Sequence, residues 1–289
     1  MFRDVISLLR PVQWIKNGFV LVPLALSQKL TNTSSLLASV YAFCIFCVAA
    51  SAVYVWNDII DRNRDRAHPD KCRRPIASGR ISVKFASVLA LILAWIATGA
   101  AAKLDKMFFI TIVSYFALNI LYSTVLKHLV LIDLFALSAN YVLRILGGTL
   151  VIGEPITSWV IILATLLALF LALGKRRGEY ITMQDRATEH RPILRAYNPY
   201  FLDQLLAVIT SSIVMSWIFY TLDATIQARL HTQLLPLTIP FVLYGIFRYQ
   251  YLIHSEGQGE SPSRTFLTDK PLMIDVTLWL ALIVSLRFL

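Results

Sequence analysis

Apolar runs of about 17–22 residues, separated by short charged connections, recur along this whole sequence, and each is close to the length of helix that crosses a bilayer. Nothing constrains the fold more. A chain buried in hydrocarbon must satisfy its backbone internally, so it forms helices or a closed barrel. The runs show no strict alternation of apolar and polar residues, which excludes the barrel. The sequence therefore predicts an all-α polytopic membrane protein with about nine spans, near 17–33, 36–57, 82–102, 107–125, 129–152, 156–174, 203–222, 233–252 and 271–288. All 289 residues belong to one transmembrane domain, with no stretch left for a soluble one. Residues 1–14 form an interfacial amphipathic helix with Phe2, Val5, Ile6 and Leu9 on one face.

The net charge of +10 does not point to nucleic acid, because the cations sit in the connections between spans. Of the 27 Lys and Arg residues, those of the N-terminal segment and the even-numbered connections outnumber those on the other side roughly four to one. That bias places the N-terminus in the cytoplasm and the C-terminus on the opposite face of a bacterial inner membrane. Arg3, Asp4, Arg10 and Lys16 interrupt the first residues, so no cleavable leader is expected. Cys44 and Cys47 lie one turn apart within an apolar span, where helix packing explains them. Cys72 is a free thiol in a charged connection. The longer connections, near 58–81, 175–202 and 253–270, all fall on the cytoplasmic side with the short one at 126–128, and the chemistry is expected there.

The first of these holds the densest signal. Asn57, Asp58, Asp61 and Asp65 recur at a spacing that shares one helix face. Three acids so close repel one another unless a cation intervenes. Magnesium takes oxygen ligands and is commonly held by one or two carboxylates together with substrate phosphates. A metal-bridged diphosphate is the natural guest, with Asp58, Asp61 and Asp65 as catalytic and metal-binding candidates. The competing reading is a solvated helix end paired with Arg62, Arg64 and Arg66. The run from His68 to Arg80 adds Lys71, Arg73 and Arg74 beside the acids, and cations there suit a polyanion held between the two.

Three further places carry polar groups. Tyr122 and Lys127 flank the connection after span four; Lys127 could instead snorkel to headgroups. Asp133 and Arg144 stand inside an apolar span, where ionisable groups face a cavity or each other, and Asn140 and Tyr141 lie nearby. This helix is read as lining the substrate cavity. Lys175, Arg176 and Arg177, followed by Glu179, end span six. They act as topology anchors or grip a second phosphate. The last connection holds Arg248, Tyr249 and Tyr251, then Asp269 and Lys270, and could form a lid.

The acid motif at the end of the second span, Arg74-Pro75 with Ser78-Gly79, the Tyr122 to Lys127 pair and the span count together resemble the UbiA superfamily of intramembrane prenyltransferases, over essentially the whole chain. That resemblance implies a nine-helix bundle around a central cavity and a Mg²⁺-bound diphosphate. Members that prenylate an aromatic acceptor carry a second aspartate-rich run after span six; here Lys175, Arg176, Arg177 and Glu179 stand in its place. With the run from His68 to Pro75, Arg248 to Tyr251 and Asp269-Lys270, this is similar to the branch that moves phosphoribosyl from phosphoribosyl pyrophosphate (PRPP) to a polyprenyl phosphate in cell-envelope biosynthesis. The second reading is prenyl transfer from a polyprenyl diphosphate to a 4-hydroxybenzoate-like acceptor. A transporter would gather its acids at mid-membrane, and the DG…AR…D…D pattern of CDP-alcohol phosphatidyltransferases is absent.

Overall fold

The computed structural model describes residues 2–67, 71–183, 197–255, 265 and 268–286, with the side chains of Thr182 and Met183 left aside. Among these residues every regular element is helical. In chain order they are α1 (Phe2–Leu9), a 3-10 segment (Pro11–Val20), α2 (Val22–Ala25), α3 (Thr33–Ile60), α4 (Arg62–Arg66), α5 (Val83–Leu104), α6 (Lys106–Thr124), α7 (Ile132–Val151), α8 (Ser158–Met183), α9 (Pro199–Leu222), α10 (Ala224–Leu230), α11 (Ile239–Ser255) and α12 (Lys270–Ser285).

Helix starts follow local chemistry. Asn32, Ser82, Asp105, Asn198, Asp223 and Asp269 each accept backbone N–H bonds of the turn they open, satisfying donors that the helix cannot. Six helices among the described residues are long and apolar enough to cross a membrane. The count becomes seven if α10 and the 235–255 segment, bent by 94° from it, form one span. His231, at φ 52°, turns the chain at that bend. Among the described residues the expected count of nine is thus not confirmed. Segment 17–33 folds as the end of the 3-10 segment, the short α2 and turns, because Pro23 and the polar Ser27-Gln28-Lys29 interrupt a continuous helix. α12 covers only 16 residues.

The chain divides into two compact units. The first comprises residues 1–23, 32–125 and 143–155; the second comprises 24–31, 126–142 and 156–289. In the first unit, α3 and α5 meet along small residues. Ala86, Ala90, Ala97 and Ala101 fall on one face of α5 and are buried, as are Ala42, Ala49 and Ala52 of α3. Without a hydrophobic driving force in lipid, such close approach supplies the packing energy. Phe46 anchors the cluster, edge-on to Phe108 at 5.7 Å and to Tyr115 at 5.6 Å between ring centroids. α1 docks on this unit through Leu8, which packs near Val55, Ile76 and Ile81. Phe2 and Ile6 stay exposed, as a helix lying on a membrane surface requires.

In the second unit, Trp217, Tyr220, Ile226, Leu230, Leu235 and Ile283 form the core. The Trp159 indole N–H donates to Asp223 at 2.9 Å, tying the start of α8 to the end of α9. Gly174 in α8 leaves room for the Tyr249 ring and Ile253 of α11, which an added Cβ would crowd at 3.2 Å and 2.6 Å.

Gly148 of α7 tests the closest approach in the first unit. A Cβ there would stand 2.0 Å from the Val20 carbonyl oxygen, a backbone atom. Gly148→Ala is expected to cost at least the ~1–3 kcal/mol of an overpacked core and to lower the melting temperature of the detergent-solubilised protein. Gly99→Ala, whose Cβ would meet nothing within 4 Å, should not. Equal melting temperatures for Gly148→Ala and wild type would contradict this packing.

Candidate active site

The acids at the end of α3 do not continue on one helix. Asp61 caps α3, the chain turns, and Asp65 belongs to the short α4. The consequence is a sorting of the three carboxylates. Asp58 and Asp65 are buried at 3% and 5% exposure, whereas Asp61 is partly exposed and lies 3.8 Å from Arg64. Arg74, held in the turn before α5, reaches both buried acids with one nitrogen. Its Nη1 donates to Asp58 Oδ1 at 3.1 Å and to Asp65 Oδ2 at 2.7 Å. Arg10 donates to the same Asp58 oxygen and lies over the Tyr54 ring at 5.2 Å. Two buried carboxylates thus face two guanidinium groups, and the cluster is close to neutral. Asn57 Oδ1 accepts the Ser123 hydroxyl at 2.6 Å, fixing α3 against α6.

Around this cluster the turn from Lys71 to Ile81 is closed by its own bonds. Ser78 donates to the Arg74 carbonyl at 2.8 Å, and Gly79 adopts φ 79°, a conformation suited to glycine. Arg66 donates to the Ala77 carbonyl at 3.0 Å, and Arg80 pairs with Asp4 of α1 at 2.9 Å. Arg73 is exposed, and Lys71 and Tyr122 are half-buried. His68, Pro69 and Asp70 lie outside the described residues.

Arg10 is the residue that sequence reasoning missed. It was counted only as a topology cation. It stands at φ 53° between α1 and the 3-10 segment, where a non-glycine residue is uncommon. Neighbouring bonds hold the same junction: Ser51 donates to the Leu9 carbonyl at 2.9 Å, and Trp14 donates to Ser51 at 3.0 Å.

Asp133 and Arg144 share α7 but enter separate networks. Arg144, in the first unit, donates to Asn17 at 2.8 Å and to the Tyr115 hydroxyl at 3.2 Å, with its guanidinium 4.9 Å from the Tyr115 ring centre. Asn17 in turn donates to Cys47 Sγ at 3.3 Å. Asn140 donates to the Ala136 carbonyl at 3.0 Å within its own helix. In the second unit, Asp133 is wholly buried and bound from two sides. Arg176, also wholly buried, donates to it through Nε at 2.8 Å and through Nη2, and the Tyr197 hydroxyl donates at 2.7 Å. Burial, with Asp133 as acceptor, pushes the Tyr197 hydroxyl far above its ordinary pKa, so it remains a donor.

The basic run after α8's apolar part is therefore woven into the fold. Arg176 also pairs with Glu179 at 2.6 Å, and Lys175 lies 3.7 Å from the same Glu179. Arg177 pairs with Asp203 of α9, which His254 approaches at 3.2 Å. Lys127 sits in a 3-10 turn, half-buried. Arg248 grips Asp269 at 2.7 Å, and this holds the Asp269 carboxyl below the usual range. Residues 184–196, 256–264, 266 and 267 lie outside the described residues, and with them most of the two long connections singled out in the sequence.

Fold and site together define a polytopic helical membrane protein with a buried carboxylate–guanidinium cluster where a membrane helix ends. The chain belongs to the UbiA prenyltransferase family, whose model matches residues 18–269. It is 30% identical to the decaprenyl-phosphate phosphoribosyltransferase of Corynebacterium glutamicum, covering 97% of this chain and 85% of that one. It is 31% identical to the enzyme of the same name from Mycolicibacterium smegmatis, covering 98% and 92%. Among solved structures, a UbiA homologue of Archaeoglobus fulgidus bound to GPP and Mg²⁺ shares the fold with a TM-score of 0.75 at 20% identity, covering 99% of this chain and 100% of that one. The chain is thus an integral membrane protein of this family.

Removing Arg176 leaves the wholly buried Asp133 charge without a cationic partner, whereas removing Asp133 leaves Arg176 still paired with Glu179. Arg176→Met is expected to cost ~3–5 kcal/mol, seen as a strong fall in melting temperature and yield, and Arg176→Met with Asp133→Asn should recover much of it. A single variant as stable as wild type would contradict the pairing.

Proposed function

We propose that this protein transfers the 5-phosphoribosyl group of PRPP to a polyprenyl phosphate and releases pyrophosphate, with Asp58 and Asp65 as the centre of the diphosphate site. The observation that carries the reading is the convergence of both carboxylates on the single Arg74 nitrogen. Two acids that already share one cationic atom suit a hard divalent ion, which takes one or two carboxylates and completes its shell with substrate phosphates. No group of three His, Cys, Asp or Glu suited to a metal occurs among the described residues, and Asp61 is more exposed than the other two acids, 3.8 Å from Arg64. Asp58 and Asp65 are the residues that would hold Mg²⁺. When bound, that ion neutralises the pyrophosphate leaving group. The UbiA homologue solved with Mg²⁺ supports the choice of metal.

Arg74 and Arg10 act on the same anion. Each now offers donors to Asp58, and each can turn those donors to diphosphate oxygens, where charge-assisted bonds are strongest. Asn57, set by Ser123, and the nearby Lys71 and Arg73 extend the polar rim. The C1–O bond of PRPP breaks with its electron pair leaving on pyrophosphate, and an oxygen of the lipid phosphate forms the new bond to C1 with inversion. That oxygen is already anionic near neutral pH, so the reaction needs no general base.

Of the basic residues that follow the fourth and sixth apolar runs, Lys127 and Lys175 are the candidates for binding a phosphate. Arg176 and Arg177 position the helix end through Asp133, Glu179 and Asp203. The basic run in place of a second acidic one supports PRPP, which brings more anionic groups than a prenyl diphosphate. The two phosphoribosyltransferases similar over nearly the full length support the same substrates. PRPP is soluble, and the Lys and Arg bias supports a cytoplasmic position for the acid cluster and the N-terminus.

Membranes containing the protein, given PRPP labelled in the ribose, polyprenyl phosphate and Mg²⁺, are expected to move label into the organic phase. EDTA, Asp58→Ala and Asp65→Ala should each abolish this, with a loss of ~10²-fold or more. Arg74→Lys keeps the charge but replaces the fixed, weakly hydrated guanidinium with a strongly hydrated ammonium on a flexible stem, and should fall between. No lipid label in a preparation that joins a polyprenyl diphosphate to 4-hydroxybenzoate would overturn the reading in favour of aromatic prenyl transfer.

A further inference from the structure

The seam between α3 and α5 opens at the end remote from the acid cluster. There a groove of about 760 Å³ runs between the first turns of α3 and the last turns of α5. It is lined by the small residues Ala38, Gly99 and Ala100, by Tyr41 and Trp95, and by Lys103. Its volume is that of a site for one small molecule or chain, in the range of about 300–1,000 Å³. Trp95 is 77% exposed and Tyr41 63%, large aromatic surfaces that the protein itself leaves uncovered. Lys103 is exposed and makes no hydrogen bond or ion pair among the described residues. The neighbouring acid, Asp105, is engaged with the Phe108 N–H at 2.7 Å.

Position along α3 fixes which leaflet this groove faces. Residues 34 and 58 are separated by roughly 36 Å of helix at 1.5 Å per residue, more than the ~30 Å hydrocarbon core. The groove therefore lies in the leaflet opposite the Asp58 cluster. A lipid phosphate seated at Lys103 is out of reach of that cluster, so its occupant is not the reacting lipid. Lys103 stands at the end of the groove where a lone cation complements one phosphate, and Trp95 lies about 12 Å deeper along α5, where its ring and that of Tyr41 flank an acyl chain. We infer that this groove is a binding site for one anionic phospholipid of the opposite leaflet, its acyl chain lying over Gly99 and Ala100 between Trp95 and Tyr41 and its phosphate on Lys103.

The full-length protein, delipidated in detergent and then offered equal phosphatidylglycerol and phosphatidylethanolamine, tests this by native mass spectrometry. Wild type is expected to retain one phosphatidylglycerol with a several-fold preference. Lys103→Ala should keep a lipid but lose the preference. Gly99→Phe should lose the lipid; a Cβ at 99 meets nothing within 4 Å, and an unchanged melting temperature in the lipid-free state checks that the variant is folded. Equal retention by all three proteins, or no preference in wild type, would overturn the inference. So would polyprenyl phosphate displacing the phospholipid at equal concentration, which would give the groove to the substrate lipid. A change of oligomeric state in Gly99→Phe with the lipid retained would assign the groove to a second copy of the chain instead.

Discussion

Two carboxylates, Asp58 and Asp65, are taken out of water at the end of a membrane helix, and the guanidinium of Arg74 is what makes that tolerable. A buried charge without a partner is costly, and two like charges side by side more so. Arg74 meets both with one nitrogen, and Arg10 adds a second positive group. From this follow several features with no other evident cause. The turn from Lys71 to Ile81 is closed by Ser78 and Gly79, and this presents Arg74 to the two acids. The junction after α1 takes up an uncommon backbone conformation that presents Arg10. Asp61, the third acid, stays nearer solvent beside Arg64.

The second unit solves the same problem with different residues. Asp133 opens α7 wholly buried and is neutralised by Arg176, with the Tyr197 hydroxyl completing its hydrogen bonds. Glu179 and Lys175 extend this pair, and Asp203 repeats the arrangement with Arg177. A basic run that in isolation resembles a topology anchor is thus largely consumed by the fold. Only the lysines, with flexible stems and compact charges, suit release to a phosphate.

Much of this was legible from residue order alone. The apolar runs marked helices over 36–57, 82–102, 107–125 and 203–222, and the polar residues Asn32, Ser82, Asp105 and Asn198 mark where their turns begin. What periodicity could not report was interruption. Segment 17–33 is apolar enough for a span, yet Pro23 and its polar neighbours break it into short pieces. The acids after Asn57 suggested one helix face, but the turn at Asp61 splits them between α3 and α4 and brings Asp65 to Asp58 through Arg74. Partners distant in sequence were invisible for a related reason. Arg10 with Asp58, Arg144 with Asn17 and Asp133 with Arg176 depend on tertiary packing, and no local spacing encodes them.

The central claim is that the Asp58–Arg74–Asp65 cluster receives the metal-bound diphosphate. A cryo-EM structure of the full chain with Mg²⁺ and PRPP addresses it directly. The account predicts metal density between the Asp58 and Asp65 carboxylates, with Arg74 and Arg10 turned onto the diphosphate oxygens. Diphosphate density elsewhere, with Arg74 still bridging the two acids, would contradict it.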